Sequence, residues 1–109
     1  MSRFYKYVPS LVDGSVVVQG MGTPSAPATA TATTSSAIAV PANADRKGLI
    51  IINLGTANVS FGCGTTAVTN SGITLTPSGT WVMDSYTYTP LDIYAVSSTS
   101  CILSIQEYV

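Results

Sequence analysis

The chain has 109 residues, of which 46% are hydrophobic, and this length suits a single domain with a modest core. Only 8% of the residues are charged, against roughly 25% in an average soluble domain, and the net charge is −1. Because phosphate binding depends on clustered Lys and Arg, nucleic acid is not expected as a partner. A surface so poor in charge is weakly protected against association, which predicts that a partner covers much of it.

Residues 1–36 are predicted to form an N-terminal arm and a low-complexity linker. Phe4, Tyr5 and Tyr7 precede Pro9 and form an aromatic segment that is a candidate for partner binding, since an extended arm can add a strand to a neighbour's sheet. Residues 23–36 consist entirely of Thr, Ala, Ser and Pro, which is typical of a linker or an extended arm. A loop of this length is uncommon inside a compact domain, which favours an arm ordered by a neighbour. The alternative interpretation of this stretch is a surface loop.

No membrane association is expected. The basic start of the chain is not followed by an apolar segment of the kind found in secretory signals, and no apolar run approaches the length of a transmembrane helix. Synthesis in the cytoplasm is therefore expected.

Residues 37–109 are predicted to form a β-sandwich domain. Its central element is the apolar run at residues 49–52, in which Leu49 and Ile51 point to one side while Ile50 and Ile52 point to the other. A strand that is apolar on both faces is expected to be covered on both, by a second sheet or by a partner. The charges at residues 45–47 are interpreted as gatekeepers that protect this strand from aggregation.

Two hairpins are predicted. The first joins residues 49–52 to an alternating strand that ends at Gly62, through a turn around Gly55. The second joins residues 73–76 to the strand that contains Trp81, through a tight turn with Pro77 in the second position and Gly79 in the fourth.

The last third of the chain continues the alternation, at residues 91–96 and 101–108. Strands recur every eight to twelve residues or so with polar turns between them, and no helical period occurs. This spacing is typical of an all-β sandwich or barrel.

A loop between two of these strands carries Tyr86 and Tyr88, which together with Trp81 are predicted to bind a partner. Aromatic side chains offer a large contact area and are enriched at interfaces. In the alternative interpretation, the two tyrosines fold over the end of the core.

The sequence predicts no enzyme, no catalytic residue and no cofactor. The chain has no His, which removes the commonest general base and metal ligand. Asp84 and Asp92 flank the tyrosine loop and are the one pattern that suggests a carbohydrate hydrolase; they are interpreted as solvated strand-end residues. Cys63 and Cys101 lack metal-site spacing, so no metal is expected, and they are interpreted as free thiols, with their pairing left open.

The stretch at residues 45–62, DRKGLIIINLGTANVSFG, resembles a hairpin of small structural proteins of tailed bacteriophages. The resemblance lies in Arg46 before an isoleucine-rich strand, Asn53 with Gly55 at the turn, and a following strand that ends in Gly62. Residues 72–75 and 93–96 are similar to the same pattern. Such modules occur in capsid decoration (cement) proteins and in neck, head-fibre and tail components, and the resemblance implies no catalytic residues.

The expected protein is thus all-β, with a jelly-roll-like antiparallel β-sandwich and an extended N-terminal arm. It is expected to be a structural virion protein on the capsid surface that binds the shell at subunit junctions and stabilises it. The expected partners are the major capsid protein or another virion structural protein, and further copies of the chain in a dimer or trimer. The alternative is a neck, head-fibre or tail-fibre module that binds a host receptor or another virion protein.

Overall fold

The computed structural model describes residues 22–109, which form eight β-strands and no helix. Within this part of the chain, no helix is long and apolar enough to cross a membrane. The aromatic candidates Phe4, Tyr5 and Tyr7 lie outside the described residues. The strands are β1 (Ala28–Ala32), β2 (Ala37–Val40), β3 (Gly48–Asn53), β4 (Val59–Cys63), β5 (Ile73–Leu75), β6 (Thr80–Val82), β7 (Ile93–Ser97) and β8 (Cys101–Tyr108).

The strands form two four-stranded antiparallel sheets. The first sheet has the order β1-β8-β3-β6, and the second has the order β2-β7-β4-β5. Successive strands of the chain change sheet at almost every step, and β4 and β5 are the exception among the described strands. The predicted all-β architecture is confirmed.

Both predicted hairpins are wrong. β3 pairs with β6 and β8, whereas β4 pairs with β5 and β7, so the turn around Gly55 carries the chain from the first sheet to the second. The tight turn after β5 does form, with the Gly79 N–H donating to the Thr76 carbonyl at 2.8 Å, but it also crosses between the sheets. A local turn pattern does not distinguish these two outcomes, because both reverse the chain.

The predicted linker at residues 23–36 is wrong for its central part. β1 pairs with β8 over all five of its residues, and Ala32 is buried in the core. The small alanines of β1 lie opposite larger residues of β8, such as Ala30 opposite Leu103, so a strand with little hydrophobic surface still fits the edge. The sandwich therefore includes residues before Ala37; the rest of the predicted arm, at residues 1–21, is outside the described structure.

The core lies between the two sheets and is built from the inward-facing side chains of both. The prediction that Leu49 and Ile51 point to the same side of β3 is confirmed, and this side is the buried one, whereas Ile50 and Ile52 on the other side are half-buried. The buried hydrophobic cluster comprises Ala32, Val40, Leu49, Ile51, Val59, Phe61, Leu75, Trp81, Ile93, Ala95, Cys101, Leu103 and Ile105.

A buried amide side chain forms hydrogen bonds with the backbone at the C-terminal end of β3. Asn53 is fully buried, and its Nδ2 donates to the carbonyl oxygens of Ala57 at 2.8 Å and Leu75 at 3.1 Å. Its Oδ1 accepts the N–H of Gly55 at 2.9 Å. Because a buried amide is stable only when its donors and acceptor are bonded, this residue fixes the chain crossing between the sheets.

Candidate interaction surface

Arg46 organises the other end of β3. Its side chain is buried, with the residue only 1% exposed, so its interpretation as a solvated gatekeeper is wrong. Nε donates to Glu107 Oε2 at 2.7 Å, Nη1 donates to the carbonyl oxygens of Thr89 and Leu91 at 2.8 and 3.0 Å, and Nη2 donates to that of Pro41 at 2.6 Å. These bonds compensate the buried charge and tie three separate chain segments together.

The same residue positions Tyr88. The Tyr88 hydroxyl donates to the Arg46 carbonyl oxygen at 2.6 Å, while the residue as a whole remains 44% exposed. Tyr88 is therefore held at the end of the sandwich with its hydroxyl satisfied and part of its ring open to solvent.

Tyr86 lies at the tip of a turn braced by Asp84. Asp84 Oδ1 accepts the N–H groups of Tyr86 and Thr87 at 2.9 and 3.0 Å, and the Thr87 hydroxyl at 3.1 Å. Hydrogen bonds from the backbone of Thr87 and then of Tyr86 hold the pKa of Asp84 below its usual value. Tyr86 is 96% exposed and makes the tip available for contact.

Trp81 is a core residue and does not join the exposed tyrosines. It is 7% exposed, and its ring centroid lies 5.5 Å from that of Phe61 in a tilted arrangement. Its Nε1 donates to Thr87 Oγ1 at 3.3 Å, so it supports the tyrosine loop from inside.

A groove of about 260 Å³ opens beside Tyr88. Tyr88 and Tyr108 contribute aromatic surface, and the charged side chains in the lining are Lys47 and Asp84, both exposed. The lining residues are Lys47, Gly48, Leu49, Ile50, Val82, Met83, Asp84, Tyr88 and Tyr108.

The groove continues into the outward side of the first sheet, which we term the outer face. Strand registers place Ile50 beside Val82 and Gln106 on this side. Val82 and Ile102 are both more than half exposed. The outer face carries no charged side chain among its strand residues, which are Thr29, Thr31, Gly48, Ile50, Ile52, Thr80, Val82, Ile102, Ser104, Gln106 and Tyr108.

The second sheet differs, because a loop of this chain covers part of its outward side. The loop at residues 64–72 folds back on the sheet, with the Asn70 N–H donating to Ser60 Oγ at 2.8 Å. The Ala67 N–H donates to Ser36 Oγ at 2.9 Å, and this bond ties the loop to the segment before β2. Ser60 is buried as a result, whereas Val82 on the outer face of the first sheet is exposed. The two sheets thus present different surfaces for binding.

The aspartate side chains that flank the tyrosine loop both accept hydrogen bonds from backbone N–H groups of this chain. Asp92 Oδ1 accepts the Ala42 N–H at 2.7 Å, and the Asp84 carboxylate braces its own turn. A lowered pKa makes Asp84 a poor proton donor, which is the opposite of what a glycosidase acid requires.

Cys63 and Cys101 are not bonded to each other in the structure. Burial raises the pKa of the Cys63 thiol, and the nearby positive charge of Arg46 offsets this in part. Residues 22–109 contain no group of three His, Cys, Asp or Glu side chains that could hold a metal ion.

Sequence reasoning proposed Tyr86 and Tyr88, which are exposed in the structure, but it did not propose the outer face as a surface. The feature of the sequence that pointed to this surface was the second apolar row of β3, Ile50 and Ile52. It predicted that another surface covers this side of the strand, but it did not show which residues lie beside the row. This apolar row extends to Val82 and Ile102 only through the pairing of β3 with strands from distant parts of the chain.

No protein-family model matches this chain, and comparisons with curated proteins and with solved structures also find no match.

Proposed function

We propose that this chain is a structural protein of a tailed-bacteriophage virion, which decorates the capsid and stabilises it by binding the shell at subunit junctions. The outer face is the observation that carries the proposal. It is the outward side of a sheet, apolar at Ile50, Ile52, Val82 and Ile102, and none of its described strand residues is charged. The resemblance of residues 45–62 to small structural proteins of tailed bacteriophages suggests the class of particle. It lies in the residue pattern alone, because the two strands of this stretch belong to different sheets.

The fold is proposed to be a jelly roll, which is an architecture of eight strands in two sheets that viral capsid and lectin domains use. The pairings β1·β8, β2·β7, β3·β6 and β4·β5 support this, because they are those of one long antiparallel hairpin rolled into two layers. An architecture does not by itself determine a function, so the surface carries the functional argument.

The chemistry of the outer face suits the proposed contact. Burying an uncharged face requires no ion to be desolvated, and each square ångström of apolar area removed from water contributes roughly 25 cal/mol. Threonine, serine and glutamine side chains on the same face supply hydrogen-bonding groups to a partner. One such contact is weak, but a shell repeats it many times, and copies linked to one another bind with added avidity.

The test is binding of the purified chain to capsids that lack it, measured by co-sedimentation and by the melting temperature of the particle. We expect wild type to bind in many copies and to raise the melting temperature. Val82→Glu places a charge on the outer face and is expected to abolish binding.

The matched control is Val68→Glu, because Val68 is 60% exposed and Val82 is 61% exposed, but Val68 lies on the loop that covers the second sheet. Val68→Glu is expected to bind like wild type. Equal binding by Val82→Glu and wild type would show that the outer face is not the surface that contacts the capsid. Capsids with the same melting temperature with and without the chain would remove the proposed function.

The alternative function is a neck, head-fibre or tail-fibre module that binds a host receptor. The observation in its favour is Tyr86, which is 96% exposed on the turn braced by Asp84 and close in sequence to Tyr88 in the groove. A few copies per particle at one site, with receptor or glycan binding lost in Tyr86→Ala, would favour it. Neither proposal gives the chain an enzymatic activity.

A further inference from the structure

The edges of the two sheets are protected to different degrees. β5 and β6 are edge strands of three residues each, and β2 has a register shift between Ile38 and Val40 that interrupts pairing. Short edges and irregular edges resist pairing with other chains. Among the strands of residues 22–109, β1 is the remaining edge, and its five residues pair with β8 without interruption.

The hydrogen bonds of β8 show which backbone N–H and C=O groups of β1 do not bond to β8. The Ile102 carbonyl accepts the Leu54 N–H at 2.9 Å, so the even-numbered residues of β8 bond toward β3. The Glu107 carbonyl accepts the Ser25 N–H at 2.9 Å, so the odd-numbered residues bond toward the β1 side.

The odd-numbered residues of β8 that pair with β1 lie opposite Ala28, Ala30 and Ala32. The backbone N–H and C=O groups of Thr29 and Thr31 therefore point to the free edge, away from β8. Their side chains lie on the outer face and are exposed.

We propose that β1 pairs with β1 of a second copy, antiparallel, around a twofold axis at Ala30. The strand reads Ala-Thr-Ala-Thr-Ala in either direction, so the two copies present the same residues to each other. Thr29 of one copy faces Thr31 of the other, and each of the two such pairs exchanges two backbone hydrogen bonds. The first sheets of the two copies join into one continuous sheet.

The register at Ala30 is favoured over its neighbours. A shift that sets Thr29 opposite itself brings Thr31 opposite Pro27, which has no N–H to donate. A shift that sets Thr31 opposite itself brings Thr29 opposite Thr33, whose carbonyl already accepts the Ser97 N–H at 2.8 Å. Pairing at Ala30 uses all the outward-pointing backbone groups of Thr29 and Thr31.

Charge and area argue for a second copy of the chain as the occupant. β1 carries no charged side chain, so two copies meet without repulsion. A groove of about 220 Å³ opens beside this edge, lined by residues of β1, β2 and β8 and by the segment before β1; its one charged side chain is Glu107, which pairs with Arg46. The paired edges are only about 17 Å long, and such a contact buries less than the roughly 800 Å² per partner of a standard interface, so the expected dissociation constant is micromolar or weaker.

The test is sedimentation of the full chain across the micromolar to millimolar range. Wild type is expected to form dimers, and Thr31→Pro is expected to stay monomeric, because proline removes an N–H that points to the free edge and none that bonds to β8. Thr31→Val keeps the N–H and is expected to dimerise. Circular dichroism and melting temperature check that the fold is retained.

If Thr31→Pro fails to fold, the double variant Thr29→Lys/Thr31→Lys replaces it. Its side chains project from the exposed side of the edge strand, and lysine would face lysine across the pair, so it is expected to fold and to stay monomeric. A wild type that is monomeric throughout, or trimeric, would overturn the proposal. Dimers that persist in a folded Thr31→Pro or Thr29→Lys/Thr31→Lys variant would also overturn it. The same holds if Val82→Glu is the only variant that loses the dimer.

The register has its own measurement. Ala30→Cys places two thiols across the twofold axis at a non-hydrogen-bonded pair, where Cα atoms lie about 4.5 Å apart, and mild oxidation is expected to link the copies. Ala37→Cys on β2 is the matched control and is expected to remain unlinked. Linking of both variants alike would overturn the register. All these measurements use the isolated chain, so their outcome is independent of the proposed function.

Discussion

Arg46 is the residue on which the loops at one end of the sandwich depend. Its guanidinium bonds a carboxylate and the carbonyl oxygens of three residues while excluded from solvent. A charged residue before an apolar strand is usually solvated, and for that reason the sequence suggested a gatekeeper. Burial could not be predicted, because Glu107 and the carbonyl groups of Thr89 and Leu91 come from distant parts of the chain.

Arg46→Met is expected to lower the free energy of unfolding by about 3 kcal/mol or more, because it leaves Glu107 and buried carbonyl groups without their donor. Denaturant unfolding measures the change. The matched control is Lys47→Met, which alters an exposed neighbour of the same charge and is expected to change the free energy by less than about 0.5 kcal/mol. Equal values for the two variants would contradict the role of Arg46.

Asp84 makes the tyrosine turn sensitive to acid. Hydrogen bonds in the folded protein lower its pKa below the usual value of 3.8, so the charged carboxylate stabilises the turn. This contribution is complete above that usual value and is lost as the pH falls through the lower folded pKa.

The Tyr86 and Thr87 amide protons report this transition by NMR. Their chemical shifts are expected to titrate together with a midpoint below pH 3.8. In Asp84→Asn this transition is expected to be absent. A midpoint above the usual carboxyl value would show that the turn does not favour the charged form.

At the scale of the elements, the turn between β5 and β6 contains a strained residue. Ser78 has a φ of 66°, in the left-handed region that costs an L-residue about 1–2 kcal/mol. The residue is held there by two neighbouring bonds, from the Ser78 N–H to the Asn53 carbonyl and from the Gly79 N–H to the Thr76 carbonyl, both at 2.8 Å. The turn was predicted from Pro77 and Gly79, but the strain at Ser78 was not.

Ser78→Gly is expected to raise the free energy of unfolding by up to about 1 kcal/mol, because the relief of strain exceeds the greater backbone freedom of glycine in the unfolded chain. Denaturant unfolding measures this change too. Ser98→Gly is the matched control, since Ser98 lies in a bend without a positive φ and is expected to lose stability. A loss of stability in Ser78→Gly would show that the serine contributes more than its backbone geometry.

The strands themselves were predictable to the extent that their side chains differ in size and polarity. The continuous apolar run at residues 49–52 identified β3, but it did not show which side is more deeply buried, because both sides are apolar. β1 was missed because alanine and threonine are also the residues of linkers, and only its place beside β8 makes it a strand. Trp81 was assigned to the surface because the sequence does not show which aromatic residues lie beneath a loop.

At the scale of the whole molecule, hydrophobic alternation predicts two layers but not which strands are neighbours. The same pattern around Gly55 fits a hairpin within one sheet and a crossing between two sheets. The crossing occurs here, so β3 and β4 contribute to opposite layers. Close packing reinforces it, because a Cβ atom at Gly55 would lie 2.5 Å from Cβ of Cys101 in β8. The candidate surface was predictable only as a row on β3, since its remaining residues are joined by these distant pairings.

The position of β8 between β1 and β3 has a consequence for biosynthesis. Among the described strands, β8 is the partner of β1 and also pairs with one side of β3, so during translation these pairings wait until residues 101–108 have left the ribosome. A nascent or prematurely terminated chain thus exposes the backbone of an isoleucine-rich strand, a known hazard for aggregation. The first sheet, with its outer face, is completed only when β8 inserts, so a chain that ends before residue 101 lacks an internal strand of this sheet.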